Sequence, residues 1–212
     1  MDQSSVKPSV DFIKGFTAQS AVDCLFYLIA YQCAPVIEQA KPGAIVSLGN
    51  DRVRKLNDLW RRNRSKIPQT DFLRFWELRV APKRTTVLFY RPDLIRNVLT
   101  NPAVANYLIN CGYRKELTLE TALTDLARRF QQGCPHEMGL FLGIPLADVL
   151  GFIANRGRNA IAEGYWKIYN DLVRQMALFD RYQEAKRRFI SLVKAGNRPL
   201  EYLAGQLLTL EE

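Results

Sequence analysis

Arg84-Thr85-Thr86-Val87-Leu88-Phe89-Tyr90 (RTTVLFY) decides the fold class. Its residues are β-branched or aromatic almost throughout, and Pro92 stops it two residues later, so it reads as a strand. Most of the sequence around it has helical spacing. One secure strand among helices predicts an α+β protein, mostly helical, with a small sheet.

Working outward, Ala44–Leu48 (AIVSL) and Tyr165–Tyr169 (YWKIY) are the further strand candidates, giving a sheet of about three strands. Residues 19–39 read as a buried helix carrying Val22, Leu25, Phe26, Ile29 and Cys33, with Pro35 marking a break near its end. A basic helix is expected around 51–64, and a second helical stretch near 70–79 through Phe72, Phe75 and Trp76. Pro92 suits the first turn of a helix to about Leu99, and a helix over 102–111 stops at Gly112. Thr118 caps an amphipathic helix whose Leu119, Ala122, Leu123, Leu126 and Phe130 share a face, ended by Gly133. A long helix over 171–195 carries Leu172, Met176, Phe179, Phe189 and Leu192. The expected organisation is a flexible lead-in at 1–18, a single α+β domain at 19–200 and a C-terminal tail at 201–212.

The 212 residues carry 48% hydrophobic and 24% charged side chains, which is ordinary for a globular chain and disfavours disorder. The N-terminal residues show no basic region followed by an apolar run, so no signal peptide is expected. The longest apolar run, Cys24–Tyr31, is far shorter than the roughly 20 residues of a membrane span. No membrane association and a cytoplasmic location are the expectations. Cysteines at 24, 33, 111 and 134 form no CxxC pair, which predicts reduced thiols and no metal site.

Net charge is +9, concentrated in two blocks. Residues 51–66 hold seven Lys/Arg against two Asp, and 181–198 hold six against one Glu. Blocks of this kind can track phosphates, so a nucleic-acid-binding module is the alternative function. The simpler reading is a solvated basic surface.

Gly133–Pro145 (GCPHEMGLFLGIP) contains the only histidine. With Gly143 as the turn and Gly139 at the helix contact, it has the shape of a helix-turn-helix. Its second helix would present Pro145, Leu146, Ala147, Leu150, Gly151 and Ala154, with Asp148 the lone charge before Arg156. Bases and phosphates require polar and positive side chains, so a packed helical corner is expected instead of a DNA reader. His136 and Glu137 are not required by the corner itself. A neutral imidazole beside a carboxylate can bind a ligand or act as a base. Leu140 stands where HExxH would need its second histidine. Tyr165, Trp166, Tyr169, Phe179, Tyr182 and Phe189 interleave with basic residues, an arrangement of stacking surfaces and, more commonly, of packing.

PHEMGLFLGIPLADVLGFI (135–153), followed by GYWKIYND (164–171), resembles a family of uncharacterised bacterial proteins, the domain of unknown function numbered 3793. Cys33-Ala34-Pro35, Lys41-Pro42, Tyr90-Arg91-Pro92 and Cys111-Gly112-Tyr113 fit the same resemblance, which spans roughly 20–185. Cys134-Pro135 has the form of the Cys-Pro dipeptides through which some proteins bind haem by a thiolate, but Cys134 stands for the family's usual Phe, which counts against haem binding as a family-wide function. Ile144 stands for Tyr, Tyr165 stands where a Cys often precedes the Trp, and Asn170 stands for Gly.

The resemblance implies no activity or cofactor. It does imply a candidate ligand-binding set: His136, Glu137, Lys41, Arg91, Trp166, Lys167 and Tyr169. Lys41 and Arg91 flank predicted strands and, with His136, would make a cationic pocket for a small anionic ligand. A third class, a partner-binding protein, would be marked by exposed apolar surface.

Overall fold

The computed structural model describes residues 20–207, so the lead-in expected at 1–18 lies outside the described residues. Helix α1 (Ala21–Ile37) starts on Ser20, whose hydroxyl accepts from the Asp23 N–H. It is followed by β1 (Gly43–Gly49), α2 (Leu56–Asn63), β2 (Arg74–Ala81), β3 (Arg84–Tyr90), α3 (Pro92–Thr100) and α4 (Pro102–Asn110). Then come α5 (Leu119–Phe130), α6 (Met138–Phe141), α7 (Leu146–Ala154), β4 (Ala162–Glu163), β5 (Lys167–Ile168), α8 (Leu172–Lys194) and α9 (Pro199–Leu203). The fold is α+β and mostly helical.

The stretch quoted above is the central strand. The sheet order is β1-β3-β2, antiparallel throughout, with Val46 opposite Val87 and Phe75 opposite Phe89. Residues 85–90 of β3 are all buried, because both faces of the sheet are covered. Ala44, Val46, Leu48, Val87 and Phe89 pack with α1, Trp60, Phe189 and Tyr202 on one side. Leu78, Leu88 and Tyr90 pack with Ile95, Leu123, Leu126, Met138 and Phe141 on the other. The alternation along β3 therefore sorts residues between two cores rather than between core and water.

Four expectations are corrected. Residues 74–81 are a strand where a helix was expected over 70–79. Phe75 and Trp76 send their rings to opposite cores, a one-residue pattern that fits a strand covered on both faces. The adjacent pair with Phe72 imitates a helical spacing. Residues 165–169 do not join the main sheet: only Lys167–Ile168 is extended, paired with Ala162–Glu163 in a separate two-stranded ribbon. The basic helix begins at Leu56 rather than near 51, because the Asp51 carboxylate accepts from the Val53 and Arg54 N–H groups and holds a turn. The core also runs past residue 200, where Tyr202 and Leu203 of α9 are buried against α1.

The helical corner is present. Gly139 lies where a Cβ would come within 3.1 Å of Val149 Cγ2, and Gly143 turns the chain with φ +84°. A Cβ on Gly143 would also sit 2.7 Å from Pro42 Cδ. Gly143 thus seats the corner on the Lys41-Pro42-Gly43 turn. Gly143→Ala combines left-handed strain with overpacking and is expected to lower stability by about 2–4 kcal/mol. Gly196→Ala carries a similar φ of +95° with open space around it, so urea unfolding should show a smaller loss, about 1 kcal/mol.

Candidate functional site

Residues on three elements converge beside that turn. Pro35, two residues before the end of α1, accepts at its carbonyl from the N–H groups of Ala40 and Lys41. Gln39 takes a left-handed φ of 57°, and together these fold the chain back over the helix end. Lys41 is thereby mostly enclosed, with its Nζ 5.3 Å from the centre of the Tyr182 ring. From α8, Tyr182 and Lys186 point inward together, four residues apart on one face. Lys186 Nζ lies 4.8 Å from the Tyr31 ring and 5.0 Å from the Tyr165 ring. Tyr165 meets Tyr182 edge-on at 5.2 Å, and Trp166 meets Phe179 edge-on at 4.5 Å.

The result is two lysines in an aromatic box. Tyr31 and Cys33 come from α1, Tyr165 from the ribbon's turn, and Tyr182 with Lys186 from α8. Among the described residues, no carboxylate forms an ion pair with Lys41 or Lys186. Burial, and then the Lys186 cation, pull the Lys41 ammonium down to about 8. Burial pulls Lys186 down to about 8 as well. Cys33 is fully buried, which pushes its thiol well above the ordinary range.

The other expected site residues have different partners. Arg91 is nearly buried and bidentate to Asp93, at 3.1 Å to each oxygen, while its N–H donates to the Pro42 carbonyl. It holds the Lys41 turn from behind. His136 is exposed, with its ring 5.6 Å from Phe152. No hydrogen bond or ion pair among the described residues joins it to Lys41 or Arg91. Glu137 is buried and ion-paired with Arg129, and accepts from Tyr113 Oη at 3.5 Å. Lys167 donates to the Gly157 carbonyl at 2.8 Å, with Glu163 at 4.0 Å. Tyr169 packs on Gly151, where a Cβ would lie 2.5 Å from its own Cβ.

Asp148, the lone charge of α7, is 1% exposed. It accepts from Trp166 Nε1 at 2.8 Å and from the N–H groups of Tyr169 and Asn170 at 2.8 and 2.9 Å. This carboxylate fixes the aromatic wall of the box to the corner. Its only signal in the sequence is a single acid inside the apolar helix 146–154.

The second basic block is largely engaged within the fold. Lys186 turns inward, Arg187 pairs with Glu184, and Arg188 bridges Glu38 and Glu184. In the first block, Arg64 pairs with Glu77, whereas Arg52, Arg54, Lys55, Arg61, Arg62 and Lys66 stay exposed. Leu172 and Met176, expected among the apolar positions of α8, are 37% and 44% exposed, and Val173 is 82% exposed. The inner stripe of α8 runs instead through Gln175, Phe179, Tyr182, Lys186 and Phe189.

Among the described residues no group of three His, Cys, Asp or Glu side chains is placed to hold a metal ion. No described helix is long and apolar enough to cross a membrane. No curated protein and no solved structure matches the chain. The model of one family, protein of unknown function DUF3793, matches residues 29–203, which include the corner, the two lysines and the aromatic box. The chain belongs to that family.

Proposed function

We propose that this protein binds a small anionic ligand whose negative group is held between Lys41 and Lys186. The observation that carries this reading is the pair of enclosed ammonium groups with no ion-paired carboxylate among the described residues. A buried charge is costly unless it is paired, and two like charges in one box compound the cost. An anion supplies the missing charge, and the lysines give it rotatable N–H donors. Lys41 and Trp166 are the expected site residues that this reading uses directly. Arg91 supports the Lys41 turn, and His136 lies on the neighbouring corner.

Calorimetric titration with inorganic phosphate, pyrophosphate and acetate tests it. Binding is expected at pH 6.5 and should weaken by pH 9.5, because both ammonium groups lose their charge as pH rises through about 8. Stability of the free protein should move the other way. The unfolded chain keeps its lysine protons up to about 10.5, so the unfolded state binds more protons between pH 8 and 10 and the free fold gains stability there. Lys186→Met should abolish anion binding while stabilising the free protein at pH 7 by about 1–2 kcal/mol. Absence of binding by all three anions at pH 6.5, or unchanged binding by the variant, would reject the reading.

A further inference from the structure

A groove of about 320 Å³ runs along the outer side of α1. One wall is Ala21, Cys24, Tyr27, Leu28 and Tyr31, and the facing wall comes from Val53, Arg54, Lys55, Leu56 and Leu59. From Ala21 to Tyr31 the helix advances about 15 Å, enough for an extended medium-length alkyl chain. The groove and the two-lysine box share one side chain, Tyr31. Tyr31 lines the groove, and the same Tyr31 ring lies 4.8 Å from Lys186 Nζ. Tyr27 and Tyr31 stack with ring centres 6.4 Å apart, so the groove is aromatic at the end nearest Lys186.

From this juxtaposition we infer that the anion is an amphiphile, a medium-chain carboxylate. Its alkyl chain lies in the α1 groove and its carboxylate passes Tyr31 to reach Lys186 and Lys41. The inference rests on the anion-binding reading above and adds the ligand class. Charge complementarity selects the occupant: the apolar groove carries Arg54 and Lys55 on one wall, and Lys186 lies against Tyr31 at its end. A neutral lipid would leave the lysines unneutralised. A simple inorganic anion would leave the apolar groove unfilled.

Cys24 reports on the groove and Cys134, exposed on the corner, serves as an internal control. The intact protein is titrated with acetate, hexanoate, decanoate and the neutral decanol at pH 6.5. Site-resolved alkylation of the two thiols is followed by mass spectrometry. Decanoate is expected to bind at least tenfold more tightly than hexanoate and to slow alkylation of Cys24 while leaving Cys134 unchanged. Decanol should protect Cys24 at least tenfold less well, and Lys186→Met should reduce decanoate to the level of decanol. Cys24→Trp, which fills the groove, should remove the advantage of decanoate over acetate.

If acetate binds as tightly as decanoate and Cys24 reacts at the same rate throughout, the amphiphile assignment fails while anion binding at the lysines stands. If decanol protects as well as decanoate, or Lys186→Met leaves decanoate binding intact, the groove does not work with the lysines and the inference is overturned. If neither carboxylates nor phosphate bind, both readings fall together.

Discussion

Arg129→Met is expected to destabilise the protein by about 3–5 kcal/mol, and Glu137→Gln by only about 1–2 kcal/mol, although the two side chains form one ion pair. The asymmetry follows from where each partner sits. The Glu137 side chain is 3% exposed and the Arg129 side chain 31%. Removing the arginine leaves a carboxylate under the sheet's second core with a single long hydrogen bond, 3.5 Å from Tyr113 Oη. Removing the carboxylate charge leaves a guanidinium that already reaches water and lies 5.9 Å from the Tyr113 ring. Urea unfolding of both single variants and of the double variant measures the difference. The double variant should return close to the value for Glu137→Gln, since it removes the stranded charge. Equal losses for the two single variants would show that burial of Glu137 is not what sets the cost.

The same pair explains why the short motif was only half legible. His136 and Glu137 are adjacent in a sequence that invites reading them as a unit. Pro135 and the turn ahead of α6 send them in different directions, one to solvent and one to Arg129, eight residues upstream. The elements that could be read had local causes: Pro92 and Pro102 at helix starts, Gly112 with φ +92° after α4, and Thr118 capping α5. The continuous apolar run of β3 could be read because burial on both faces leaves no polar alternation.

Residues 74–81 carry a helical spacing at Phe72, Phe75 and Trp76 that pairing with β3, beyond the Ala81–Arg84 hairpin, overrides. Lys186 was hidden differently. Within Lys186-Arg187-Arg188 it looks like one more surface cation, yet it lies seven residues after Phe179 and four after Tyr182, on the stripe that is buried. Helical phase was the available signal, and composition obscured it.

Asp148→Ala is expected to cost about 3–4 kcal/mol and to disturb the aromatic box. Three N–H donors converge on this buried carboxylate, and hydrogen bonds to a charged acceptor are each worth roughly 1.5–3 kcal/mol before compensation. Compensation is partial because Asn170 is exposed and its N–H can turn to water, whereas the Trp166 indole is wedged against Phe179. Asp148→Asn keeps one acceptor oxygen but points an amide donor at an N–H, so it should fall between wild type and alanine. Position on α7 adds to the effect. Asp148 is the third residue of that helix, where a negative charge is stabilised by the free N–H groups of the first turn. In a background with Trp60 and Trp76 replaced by Phe, Trp166 emission and its protection from quenching by acrylamide give a local readout, and urea unfolding gives the global one. Trp166 and Tyr165 share contacts with Tyr182, over which Lys41 lies, so loss of Asp148 should also weaken anion binding. A variant that unfolds earlier yet keeps wild-type emission and anion affinity would assign Asp148 to stability alone. Parallel losses in all three would make this carboxylate the link through which the helical corner holds the two-lysine site in shape.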